Sequence, residues 1–146
     1  MRTTGCPATT GRPLPEVRAL TIRQPWADAI THSTKRTENR TRPTSCRGLV
    51  LLHAGLQTDP TALLPERATT RPGVRGAVIG TARITDCHRA TDGCCAPWGF
   101  PDAWHWQLAD VHALADPVPC RGALGLWRPG DAVLTAVLAQ LPVEAR

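Results

Sequence analysis

No uninterrupted apolar run in this 146-residue chain exceeds four residues, and "LVLL" at 49 to 52 reaches that limit. A membrane-spanning helix needs about 20 apolar residues. No such span is expected, and the longest run is strand-sized. Strand-like pieces recur as "VRALTI" (17–22), "RGLVLLHAG" (47–55), "GVRGAVIGTARITDCHR" (73–89), "WHWQLADV" (104–111) and "CRGALGLWRP" (120–129). In the second, Leu49, Leu51 and His53 alternate with Val50, Leu52 and Ala54, as in a strand buried on both faces. Gly76 and Gly80 allow bends or bulges in the longest piece. Helical spacing occurs twice. Trp26, Ala29, Ile30 and Ser33 share a face after Pro25, which suits a first helical position. Val133, Ala136, Val137 and Gln140 do so within 129–141. A further short helix is expected over 59–68, opened by Asp59–Pro60 and broken at Pro65. Short strands with a helix near each end predict an α+β fold, a small curved β-barrel of about five to six strands flanked by short helices. Residues 1–16, with Pro7, Pro13 and Pro15 and no periodicity, read as a flexible tail to a domain over 17–141. The N-terminus has no secretory apolar region, so a soluble cytoplasmic protein is expected, without membrane association.

Charge is distributed unevenly. Residues 1–48 carry nine cations against three anions, whereas 49–146 carry eight against nine. The window 35–47 holds Lys35, Arg36, Arg40, Arg42 and Arg47 against Glu38 alone. Such a local surplus attracts phosphate backbones, although a solvated loop without a partner fits the charge equally well. Lys35 is the single lysine among 17 cationic residues. A GC-rich coding bias explains why lysine is scarce, but not where this one sits. The segment 35–40 is expected to be extended, so Glu38 and Arg40, two residues apart, project from one face of a strand.

The six cysteines are Cys6, Cys46, Cys87, Cys94, Cys95 and Cys120. Cys87, His88, Cys94 and Cys95 lie close enough in sequence to suggest zinc. Their spacing contains no C-x-x-C pair, and adjacent cysteines chelate one tetrahedral ion awkwardly. Reduced, partly buried thiols and no metal are the expectation. No Ser-His-Asp set, phosphate loop or dinucleotide fingerprint is present, so no cofactor is expected.

The order of "LTIRQPWADAI", "STKRTENR", "CRGLVLLHAG", "IGTARITDC", "WHWQLADV" and "PVPCRGALGLW" resembles that of ASCH domains, which are PUA-like β-barrels. The resemblance covers about 17 to 128. Its signature, G-x-K-x-x-E-x-R, reads S-T-K-R-T-E-N-R here, with Lys35, Glu38 and Arg40 at the charged places. Ser33 stands at the glycine position. A left-handed serine there costs on the order of 1 kcal/mol, unless the turn is built differently. The resemblance implies a cleft beside the first helix, lined by the signature residues, and a role in RNA metabolism. Some ASCH proteins look like ribonucleases, and one bacterial branch deacetylates acetylated cytidine with the lysine matching Lys35. That branch has threonine where this chain has Glu38.

The expected catalytic group is Lys35, Glu38 and Arg40. The expected nucleic-acid contacts are Gln24, Trp26, Lys35, Arg36, Arg40, Arg42, Arg47, His53 and Trp98. Lys35 serves as a point charge or, with a depressed pKa, as a base. The arginines suit phosphate. Trp98, in a Gly/Pro loop, is expected to be the exposed stacking platform. Trp26 and His53 have competing structural readings, in the core and as a satisfied strand histidine. Three functions follow from these residues: binding of single-stranded RNA or a modified nucleoside, an RNA-directed hydrolase using Lys35 and Glu38, or a protein adaptor. No particular protein partner is legible.

Overall fold

A computed structural model of the chain describes residues 16–64 and 73–146. Apart from Glu16, the expected N-terminal tail lies outside the described residues. The elements are β1 (Arg18–Gln24), α1 (Trp26–His32), β2 (Thr37–Arg40), β3 (Gly48–Thr58), β4 (Ala77–Arg89), β5 (Trp104–Pro119), β6 (Leu126–Trp127) and α2 (Asp131–Leu138), followed by a 3-10 turn at Val143–Ala145. The fold is α+β. Its single mixed sheet has the strand order β2-β5-β4-β3-β1-β6. β1 and β3 are parallel, and the other pairs are antiparallel. Among the described residues, no helix is long and apolar enough to cross a membrane.

The alternation in β3 sorts its side chains between two cores. Val50, Leu52 and Ala54 join Ala27 and Ile30 of α1 on one face. Leu51 joins Ala19, Val78 and Val137 of α2 on the other. α1 approaches β4 very closely. A Cβ on Gly80 would lie 2.6 Å from Thr31 Cγ2 and 2.7 Å from the His112 carbonyl oxygen, so only glycine fits beneath the helix.

The sheet does not close into the expected barrel, because β2 and β6 remain its ends. β6 pairs with Ala19 and Leu20, and among the described residues β1 has no strand neighbour on that side from Thr21 onward. A single side chain bridges from β2 to this part of β1, as the Arg40 Nη2 donates to the Thr21 carbonyl at 2.9 Å.

Three element expectations need correction. β5 runs on to Pro119 rather than ending near 111, because β4 continues to pair with it as far as Ala77 opposite Pro119. Only Leu126–Trp127 of the 120–129 segment is strand; the rest is loop. The described part of 59–68 is a turn and not a helix. The Asp59 Oδ1 accepts from both the backbone N–H and the hydroxyl of Thr61, at 2.9 and 2.7 Å, which satisfies a turn locally. Residues 65–68 lie outside the described residues.

Candidate functional site

The gap between the sheet ends opens into a cleft of about 1040 Å³. This is at the upper end of the roughly 300–1,000 Å³ typical of small-molecule sites. Lys35, Glu38 and Arg40 all line it. Strand periodicity places Glu38 and Arg40 side by side, with the Arg40 Nε donating to the Glu38 Oε2 at 3.0 Å. Lys35, just before β2, reaches the other carboxylate oxygen at 3.5 Å and donates to the Thr37 carbonyl. The Lys35 side chain is nearly enclosed, at 2% exposure. Burial pushes the Lys35 pKa below the ordinary lysine value, against the opposing pull of Glu38.

Aromatic rings form one wall. The Trp26 indole lies 5.5 Å from the Lys35 Nζ and donates its N–H to the Asp59 Oδ2 at 2.9 Å. Phe100 meets it edge-on at 5.7 Å and is 44% exposed. Arg23 and Arg121 stand exposed on the lining. Sequence reasoning singled out neither of them, nor Thr21 or Phe100.

Ser33 is extended, with φ −140° and ψ −151°, so the helix ends without a left-handed residue. Arg36 supports this different turn. Its Nη1 donates to the carbonyls of Ile30, Ser33 and Lys35 at 3.0–3.2 Å, outside the cleft. Arg47 is similarly committed to the carbonyls of Thr44 and Cys46. Arg42 is exposed, away from the cleft lining. The basic window therefore sends only Lys35 and Arg40 into the cleft. Gln24 is also absent from the lining. Its amide bridges the Asp28 N–H and the Val74 carbonyl at 3.0 and 2.8 Å, pinning the start of α1. Trp98 is buried at 7% exposure and cannot be the exposed platform expected of it.

His53 lines the cleft but is held in a polar chain. Its Nε2 donates to the Cys120 carbonyl at 2.8 Å, which leaves Nδ1 to accept the Thr21 hydroxyl at 3.3 Å. The Trp127 indole N–H in turn donates to Thr21 Oγ1 at 3.0 Å. The chain ties β1, β3 and β6 beneath Gly122. A Cβ there would meet Thr21 Oγ1 at 2.6 Å and the His53 ring at 2.7 Å.

A second polar group lies where β4 and β5 meet the 90–103 loop. His88, Cys94, Cys95 and His105 place one ligand atom each within 4.8 Å of one another. Cys87 is not among them, and His105 takes its place. Cys87, Cys94, Cys95 and Cys120 are free thiols, whereas Cys46 is disulfide-bonded, contrary to the expectation of reduced thiols. The Thr91 backbone N–H holds the Cys94 thiol down at about 6, and burial pushes Cys95 up.

An open mixed sheet whose ends frame a cleft carrying the Lys35–Glu38–Arg40 group defines a PUA-like α+β domain. The chain belongs to the ASCH-domain family, whose model matches residues 20–117. The match runs from within β1 nearly to the end of β5, and so includes the three charged residues and the aromatic wall. At the family level this supports an RNA-binding domain. No curated protein matches the chain.

Proposed function

We propose that this ASCH domain binds RNA by taking one nucleotide or modified base into the cleft. The carrying observation is the convergence of Lys35, Glu38 and Arg40 on one hollow walled by Trp26 and Phe100. Each group suits a part of such a ligand. The rings offer a stacking surface, and the Glu38 carboxylate accepts base-edge N–H groups. Arg23, Arg121 and Arg40 suit phosphate. The test is titration of single-stranded RNA and of nucleoside monophosphates into wild type, Lys35→Ala and Arg40→Ala. Both variants bind more weakly on this reading, and unchanged affinity in both would overturn it.

A second reading, an RNA-directed hydrolase, is favoured by one observation. Burial moves Lys35 toward the neutral amine that a base or nucleophile requires. Incubating labelled RNA and acetylated cytidine with wild type and Lys35→Ala separates the two readings. A Lys35-dependent product supports hydrolysis, and its absence leaves binding alone.

A further inference from the structure

We propose that His88, Cys94, Cys95 and His105 bind a structural zinc ion that fixes the Phe100 wall of the cleft. His88 and His105 face each other across the β4–β5 ladder. Cys94 and Cys95 arrive from the loop between those strands. Zinc in tetrahedral coordination, with Zn–S about 2.3 Å and Zn–N about 2.0–2.1 Å, sets ligand separations of about 3.3–3.8 Å. Here Cys94 Sγ lies 3.3 Å from His105 Nδ1 and 3.8 Å from His88 Nε2, and Cys95 Sγ lies 3.4 Å from His88 Nε2.

Both histidines are already oriented for a metal. The His88 Nδ1 donates to the Asp86 Oδ2 at 2.7 Å, which turns the Nε2 lone pair toward the thiols. The His105 Nε2 donates to the Phe100 carbonyl at 2.8 Å, which does the same for its Nδ1. A carboxylate or carbonyl behind each ring is the usual support for a ligating histidine. The difficulty of adjacent cysteines is resolved by the backbone. Cys95 takes φ +61°, a left-handed conformation uncommon outside glycine, which brings both sulfurs to one side. Gly99 closes over the group, since a Cβ there would lie 2.7 Å from the His105 ring and 2.8 Å from the Cys95 Cβ. The Thr91 backbone N–H donates to Cys94 Sγ at 3.3 Å, a contact suited to a thiolate.

Four protein donors leave no open position, so the ion is structural and not catalytic. Binding deprotonates both thiols and releases their protons to solvent, giving a neutral centre of two thiolates, two imidazoles and Zn²⁺. The loop it ties down carries Phe100, whose N–H also donates to the Asn39 side chain at 2.8 Å.

The experiment loads the metal-free full-length chain with CoCl2 or ZnCl2 and measures metal content after gel filtration. One ion per chain is expected. Cobalt should show the intense visible absorption of a four-coordinate ion with thiolate charge transfer, displaced by zinc. No retained metal, or the weak spectrum of octahedral cobalt, would overturn the proposal. Cys95→Ser should remove about half of the charge-transfer intensity, since one of two thiolates is lost. Asp86→Asn, at an exposed position, keeps the fold and should weaken zinc about 10–100-fold. Unchanged zinc affinity in that variant overturns the orientation assigned to His88. Cys87→Ser should bind as wild type; loss of metal there, with retention in Cys95→Ser, overturns the ligand set. Hydrogen exchange reads the link to the cleft independently of any RNA. Chelation should accelerate exchange at Trp98, Gly99 and Phe100 about tenfold or more, and unchanged exchange would break that link.

Discussion

The salt dependence of RNA binding distinguishes a cleft from a basic strip, and the structure sets its size. For single strands the slope of log K against log salt is about −0.7 for each phosphate neutralised. A strand lying along the window from Lys35 to Arg47 would meet five cations, giving a slope of about −3.5. The structure leaves Arg36, Arg42 and Arg47 off the cleft lining and encloses the Lys35 side chain. Arg23, Arg40 and Arg121 remain on the cleft lining, giving a slope of about −2. Between 50 and 200 mM salt the affinity should then fall about 20-fold, against about 130-fold for the strip. Fluorescence anisotropy of a labelled single-stranded RNA across this range makes the measurement. Arg121→Ala should lower the steepness by about 0.7, and Arg36→Ala should leave it unchanged. A slope near −3.5, or one that Arg36→Ala reduces while Arg121→Ala does not, would refute the assignment of contacts.

Two further outcomes concern the residues that build the cleft. Thr21→Val removes the hydroxyl joining Trp127 to His53, leaving two ring nitrogens without their partner; it should cost about 1–3 kcal/mol by urea denaturation, while Thr21→Ser stays near wild type. A Val variant as stable as wild type would refute the polar chain. The folded Lys35 pKa is lowered by burial, so above that value the unfolded chain binds the extra proton and stability rises with pH until the unfolded lysine titrates near 10.4. The slope from one proton is at most about 1.4 kcal/mol per pH unit. Subtracting the alkaline stability profile of Lys35→Met from that of wild type should leave this rise, and a flat or falling difference would contradict it.

What was legible in the sequence divides according to how each contact is made. Glu38 and Arg40 belong to one strand, so the period of two places them together before any partner is known. Lys35 follows them into the cleft because only one residue separates it from β2. The two apolar faces of β3 were readable for the same reason. Contacts between distant segments were not. The 90–103 loop offers two aromatic rings, and composition favours the larger as an exposed platform. The structure buries Trp98 and turns Phe100 outward, because the Phe100 backbone is held between His105 and Asn39. Likewise, Cys87, nearest in sequence to His88, is excluded from its cluster, and His105 enters by facing His88 across the ladder. No spacing rule relates residues 88 and 105, because their pairing is set by where the hairpin closes: Asp86–Arg89 face Gln107–Trp104 in unbroken register across the 90–103 loop, whose length no local pattern fixes. The charged signature thus survives as a local pattern, whereas its aromatic wall and the histidine–cysteine cluster exist only once β4 and β5 have paired and closed the 90–103 loop between them.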